Sequence, residues 1–259
     1  MRASRIIGCQ VSGSSSVSLA RLLNIHDHAF VDIREDPRTG RGLYTKRDHL
    51  VGDTLLSGVR PIVSGKNYAE CIGKILLQKT NEEIKGDTST MMAVAQLTYP
   101  LNLKDVVSAP DVAAGTKNVV EFVNTHANGA FEIESLHADV YLRLWGVMFL
   151  NAIRSSSPIS PASSTSSSST SQLRLYGSIS LINHSCYPSC GLQFDGEEGS
   201  ASVVVIAKSG LPAGRQVTIN YVEQQAEQER WHKNKRKRHL HENYGIVCTA
   251  NPKTCLCAK

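Results

Sequence analysis

The sequence predicts a β-rich α+β chain, and three observations carry that prediction. Short segments of alternating apolar residues, separated by Gly- and Pro-containing turns, cluster in 30–63 and again in 192–221. Segments with a helical period fill part of the stretch between them, at 68–79 and 136–153. At 259 residues the chain can bury a full core, as one large domain or one domain with an embedded smaller one.

Residues 1–29 carry Arg2, Arg5 and Arg21, several serines and no acid before Asp27. That composition fits a disordered polar tail or a mitochondrial presequence. Phe30-Val31-Asp32-Ile33-Arg34 then alternates as a half-buried strand. Asp36-Pro37-Arg38-Thr39-Gly40-Arg41-Gly42 reads as a turn, where Pro fixes φ and the glycines allow tight geometry or close ligand approach. Leu43-Tyr44 resumes a strand, and Gly52-Asp53 is a turn into another strand that reaches as far as Val63.

Ala69, Ile72, Ile75, Leu76 and Leu77 set the helical period of 68–79. Shorter helical pieces are expected in 88–122, broken at Pro100 and Pro110. The clearest helix is 136–153, with Leu136, Val140, Leu144, Val147, Met148 and Phe149 on a broad apolar face. Residues 155–171 are almost entirely Ser, Thr and Pro and predict a mobile loop, since little in them can offset the entropy of ordering. The loop interrupts a domain rather than linking two.

Residues 192–194 and 203–206 read as a hairpin around Asp195-Gly196-Glu197-Glu198-Gly199. Pro212-Ala213-Gly214 is a turn, and 216–221 is a last strand. A long polar helix is expected over 223–242, with Glu223, Glu227 and Glu229 early and the bases late, which complements the helix dipole. Its run Lys233-Asn234-Lys235-Arg236-Lys237-Arg238 reads as a solvated helix face, a nuclear-import signal or a nucleic-acid patch.

The net charge of +5 comes largely from that run, so it argues for a local basic face rather than a wholesale nucleic-acid binder. No apolar run approaches the roughly 20 residues that span a bilayer, and no membrane association is expected. The cysteines number seven, an odd count that points to a reduced, intracellular protein, in nucleus or cytoplasm, with a mitochondrial address open from the N-terminal composition. Three of them (Cys248, Cys255 and Cys257) fall in the last dozen residues, a clustering that suits a metal better than disulfides.

The most informative stretch is Tyr176-Gly177-Ser178-Ile179-Ser180-Leu181-Ile182-Asn183-His184-Ser185-Cys186-Tyr187-Pro188. An apolar segment ends abruptly in small polar and reactive residues, and buried polar groups left unpaired cost roughly 1–3 kcal/mol each. They must therefore find partners or a ligand.

Taken with the Gly40-Arg41-Gly42-Leu43 turn, Gly52-Asp53, Ala213-Gly214-Arg215-Gln216-Val217-Thr218-Ile219-Asn220-Tyr221 and the cysteine-rich tail, this run resembles the SET-domain protein lysine methyltransferases. The likeness is strongest to the SET/MYND branch and covers about residue 30 to the end, apart from 64–135. The resemblance implies a β-rich α+β SET fold, with several short sheets and a threaded C-terminal segment, spanning 30–247. It implies a helical insert at 64–135 and a post-SET tail at 248–259. The MYND zinc module is expected to be missing, since only Cys71 lies between Val63 and Cys186, and so is the helical-repeat domain.

What the resemblance implies for the site is specific. Gly40, Arg41, Gly42, Asn151, Ser180, Leu181, Asn183, His184 and Ile246 would line a pocket for S-adenosyl-L-methionine. Asn183 and His184 would meet its amino group and adenine, and Ile246 stands where the family often has an aromatic. Asn151 reads equally as a helix C-cap. Tyr221 would orient a lysine amine, and Tyr244 would wall its channel. Cys186, Cys248, Cys255 and Cys257 would hold a structural zinc, which takes four ligands. Cys190 is a possible substitute ligand, and free thiols are the alternative. The Cys248-x6-Cys255-x-Cys257 spacing is longer than the family's. Ser189, where Asn commonly follows the proline, would loosen the turn, and Arg215-Gln216 replace an acidic pair.

The implied activity is methyl transfer to a lysine of a histone or another protein, by a monomer. The alternative is a SET-like scaffold or protein-binding module that has lost activity. A nucleic-acid partner rests on the Lys233 run alone.

Overall fold

The computed structural model describes residues 30–37, 39–85, 94, 97, 107–129, 132–156, 171–195, 199–222, 233–244 and 246. The chain divides into two compact units, one holding Pro61–Gly177 and the other, among the described residues, holding 30–60 and 178–246.

The first unit pairs helices with a small sheet. Strand β4 (Val63–Gly65) leads into α1 (Tyr68–Lys85), followed by α2 (Ala109–His126), α3 (Ala138–Asn151) and strands β5 (Ala152–Ser156) and β6 (Ser171–Leu175). The sheet order is β4-β6-β5, antiparallel throughout. Helix α1 runs past the predicted 68–79 and buries Cys71, Ile72 and Ile75. Pro110 does not break a helix but starts one. Ser108 caps α2 by accepting from the Asp111 N–H, and a proline in the first turn sacrifices no intrahelical hydrogen bond.

The helices approach closely through glycines: Gly73 of α1 faces the Phe122 ring of α2, and Gly115 of α2 faces the Tyr141 hydroxyl of α3. Val140, expected on the apolar face of α3, is exposed; Tyr141, Leu142, Leu144, Val147 and Met148 supply that face. Ile153 lies beyond the helix, in β5. Ser155, Ser156 and Ser171 are strand residues, with Ser156 opposite Ser171 in the antiparallel β5–β6 pair. Residues 157–170, which carry the predicted loop, lie outside the described residues, as do 1–29 and most of 86–106.

The second unit is β-rich. Strands β1 (Val31–Asp36) and β2 (Gly40–Thr45) form a hairpin, so Gly40, Arg41 and Gly42 begin a strand rather than ending a turn. Strand β3 (Thr54–Val59) pairs with β9 (Ser200–Val205), which pairs with β8 (Cys190–Asp195) in the predicted hairpin. The predicted strand to Val63 thus splits in two at 60–62. A 3-10 turn (Ile179–Leu181) precedes β7 (Asn183–His184), which runs parallel to β10 (Thr218–Ile219). The last strand is much shorter than 216–221, although Gln216 still bridges Tyr44.

Thr45 stitches this region together. Its hydroxyl donates to the Pro212 carbonyl at 2.6 Å and accepts the Arg215 N–H at 3.1 Å. Helix α4 (Lys233–Tyr244) closes the described chain, packed through Leu240 on Val222. Residues 223–232, which carry the early acids of the predicted helix, lie outside the described residues. No helix among the described residues is long and apolar enough to cross a membrane.

Candidate active site

Strand β7 sits where three pieces of the second unit converge: β2, β10 and the segment leading to Tyr221. The parallel pairing sets Asn183 against Thr218 and His184 against Ile219, and the Ser185 N–H extends it by donating to the Ile219 carbonyl. The polar residues after the 3-10 turn are held mainly by the chain itself.

Asn183 points toward β2. Its Nδ2 donates to the Arg41 carbonyl at 3.1 Å and lies 2.9 Å from where a Cβ on Gly42 would stand. The Gln216 amide nitrogen lies 2.6 Å from the same point and donates to Thr39 Oγ1. Gly42 is therefore required by close approach: any side chain would displace two amides. Gly40 has φ +72°, a left-handed conformation, and open space above it. Gln216 holds a place in the site that the sequence did not disclose, because its contact depends on the long-range bridge to Tyr44.

His184 points the other way. Its Nδ1 accepts the Tyr221 N–H at 3.2 Å, so the neutral ring carries its proton on Nε2, which donates to Cys186 Sγ at 3.3 Å. Burial holds its pKa down at about 4, so the ring is uncharged at neutral pH. Both ring nitrogens are engaged by the protein.

The Tyr221 hydroxyl donates to the Ile182 carbonyl at 2.7 Å, and burial, with Tyr244 adding, pushes the phenol far above its ordinary range. The ring lies 4.9 Å from that of Tyr244 and 5.3 Å from that of His184, tilted by 53° to each. Beneath them lie Val222 and Leu240, with Cys186, Tyr221, Tyr244 and Ile246 packed against that pair. Ile246 is half-buried, and its N–H donates to the Leu240 carbonyl at 3.0 Å.

Ser180 is half-buried and Leu181 buried in the 3-10 turn. Ser178 at its start is 1% exposed, and its Oγ has no hydrogen-bond partner among the described residues. Asn151 belongs to the first unit, where it is the last residue of α3 and not the cap; its amide donates to the Val147 carbonyl at 2.8 Å.

Ser189 does not loosen its turn. Its N–H donates to Thr218 Oγ1 at 3.1 Å, and the Thr218 N–H donates back to Ser189 Oγ at 3.0 Å. Cys190 is buried in β8, and burial raises its thiol to about 11, as befits a core residue rather than an open ligand. Among the described residues no group of three His, Cys, Asp or Glu could hold a metal; Cys248, Cys255 and Cys257 lie outside them.

Chemically, the arrangement offers an uncharged cluster of three rings on one side of β7 and, on the other, a strand whose buried Gly42 is covered by the Asn183 and Gln216 amides. The model of one family, the SET domain, matches residues 40–222. No curated protein matches. Among solved structures, the SET domain of LSMT bound to lysine and AdoHcy superposes with a TM-score of 0.51 at 14% identity, covering 90% of this chain and 57% of that one. Rubisco LSMT bound to AdoMet superposes with a TM-score of 0.53 at 14% identity, covering 91% of this chain and 57% of that one. The chain thus spans little more than half the length of these structures, and at this identity the likeness is one of fold.

Proposed function

We propose that this chain, which belongs to the SET-domain family, is an S-adenosylmethionine-dependent protein lysine methyltransferase. The observation that carries the proposal is the Tyr221 phenol, fixed on the Ile182 carbonyl between the rings of His184 and Tyr244. The two similar structures are of proteins bound to AdoMet, or to lysine and AdoHcy, which supports the reading.

The residues fit the cofactor. Gly40 leaves the start of β2 open, Gly42 lets the Asn183 and Gln216 amides approach the strand, and the orphaned Ser178 hydroxyl is a polar group awaiting a partner. When bound, S-adenosylmethionine supplies an electrophilic methyl on a sulfonium. Arg41, Ser180 and Leu181 complete the proposed pocket, with Ile246 closing it by packing.

Tyr221 and Tyr244 prepare the amine. A free lysine has a pKa near 10.4, and an uncharged, water-poor aromatic wall disfavours its ammonium form. The Tyr221 hydroxyl spends its proton on Ile182, which leaves its oxygen lone pairs to accept from the amine and aim it. The phenol stays protonated, so Tyr221 orients and does not act as a base.

A structural zinc on Cys186, Cys248, Cys255 and Cys257 belongs to the same proposal. The His184 Nε2–H donated to Cys186 Sγ would orient that sulfur, as contacts to a ligand do. Ile246, two residues before Cys248, packs in the same cluster as Cys186. Metal analysis of purified protein should find about one zinc per chain; less than about half would rule the four-cysteine site out. The Gly177–Cys186 run supports kinship with the SET/MYND branch within this reading.

Incubation with labelled S-adenosylmethionine and a broad protein mixture should label lysines. Normal cofactor binding without transfer would count against activity, and no S-adenosylmethionine binding at all in calorimetry would favour a scaffold.

A further inference from the structure

We propose that the Gln216 side-chain amide is a cofactor-selecting group: together with Asn183 it grips the charged amino-acid end of S-adenosylmethionine, the carboxylate above all. This rests on the methyltransferase reading above and adds to it a residue that the sequence resemblance did not assign.

Two primary amides converge on one point of β2. A Cβ on Gly42 would stand 2.6 Å from Gln216 Nε2 and 2.9 Å from Asn183 Nδ2, so the two nitrogens flank the same spot over the strand. They arrive from separate elements: Asn183 from β7, and Gln216 from the segment that bridges Tyr44 and precedes β10. Only a residue without a side chain at this position lets both approach. Asn183 and Gln216 are half-buried, and Gly42 beneath them is buried.

Each amide is aimed by one bond and has hydrogen-bonding capacity to spare. A primary amide carries two N–H donors and a carbonyl with two lone pairs. Asn183 Nδ2 donates to the Arg41 carbonyl at 3.1 Å, and Gln216 Nε2 donates to Thr39 Oγ1 at 3.2 Å. Thr39 is itself anchored, its N–H donating to Asp36 Oδ1 at 3.1 Å. Among the described residues neither amide makes a further hydrogen bond. One N–H and the carbonyl of each remain for a ligand.

Those spare groups match a zwitterion. The two oxygens of a carboxylate can accept from the two N–H groups, and the carbonyls can accept from an α-ammonium. A charge-assisted hydrogen bond is roughly twice as strong as a neutral one, so an anion gains most from this pair. Arg215-Gln216 replace an acidic pair, so neither residue brings negative charge to this point. A carboxylate at Gln216 would repel the anion that the amide holds. The amino-acid end is common to S-adenosylmethionine and S-adenosylhomocysteine, so Gln216 acts on the affinity for both.

The test is calorimetry on the full chain with two ligands, S-adenosylhomocysteine and methylthioadenosine, which keeps the nucleoside and the thioether but has no amino-acid end. Gln216→Glu keeps the shape and replaces the donor with a negative oxygen. It should weaken S-adenosylhomocysteine about tenfold and leave methylthioadenosine within about twofold of wild type. Thr39→Val removes, from an exposed position, the hydroxyl that aims Gln216. It should weaken S-adenosylhomocysteine about threefold, with the same indifference toward the nucleoside. Both ligands weakening together would show a structural role only and overturn the proposal. So would wild-type affinity for S-adenosylhomocysteine in Gln216→Glu, which leaves the methyltransferase reading standing. A wild-type chain that binds neither ligand would sink that reading and the proposal with it.

Discussion

The Asn183–Cys186 turn and helix α4 meet at the Tyr221–Tyr244 pair, yet they are organised in opposite ways. In the turn, the polar side chains look inward: Asn183 to Arg41, His184 to Tyr221 and Cys186, Ser185 to Tyr187. In the helix, one apolar anchor and one ring face inward, with Leu240 on Val222 and Tyr244 on Tyr221. A closed hydrogen-bond network gives rigid placement, which the proposed chemistry at the amine requires. Apolar packing holds an element in place without fixing polar groups in direction. The turn is thus placed by directed bonds and the helix by packing.

The sharpest test of the closed half is pH. His184 has a folded-state pKa of about 4 against an ordinary value near 6.5. Above 6.5 the ring is neutral in both states and stability does not depend on it. As pH falls below 6.5 the unfolded chain takes the proton first, so stability declines toward pH 4 and then levels. The decline amounts to at most ~3 kcal/mol in urea unfolding, and His184→Gln should flatten it. An unchanged slope in that variant would show the imidazole to be open to water.

Gly42→Ala is next in size. Its Cβ meets Gln216 and Asn183 at 2.6 and 2.9 Å, which should cost about 1–3 kcal/mol and weaken S-adenosylmethionine binding in calorimetry. Gly191→Ala, whose Cβ would lie 3.4 Å from Ile206, serves as the tolerant control. Equal melting temperatures for the two variants would contradict a close-packed β2–β7 seam.

The smallest effect belongs to the brace behind the turn. Ser189→Ala removes the reciprocal bonds to Thr218 and should cost about 1 kcal/mol without changing cofactor affinity. A cost near zero would mean the turn is held by Asn183 and His184 alone.

Much of this was legible beforehand, and the failures have physical causes. The β1–β2 and β8–β9 hairpins follow from alternation and turn chemistry, which are local. Pro110 was misjudged because the same ring that breaks a helix interior suits its first turn, and only the Ser108 cap distinguishes the cases. Ser189 was judged by the side chain it replaces, whereas its partner, Thr218, lies 29 residues away. The role of Gln216 depends on strand register, which no local pattern encodes. Helix α4 carries almost no apolar period, and its one buried apolar residue, Leu240, is fixed by a long-range contact with Val222 that no local pattern encodes.

The central claim is that the closed turn positions Tyr221 to aim an amine. It is tested most directly by single-turnover methyl transfer with Tyr221→Phe, at saturating S-adenosylmethionine and with cofactor affinity measured in parallel. Losing the hydroxyl on Ile182 should slow transfer by about a hundredfold while cofactor affinity stays within about twofold. Transfer at the wild-type rate in that variant would contradict the account.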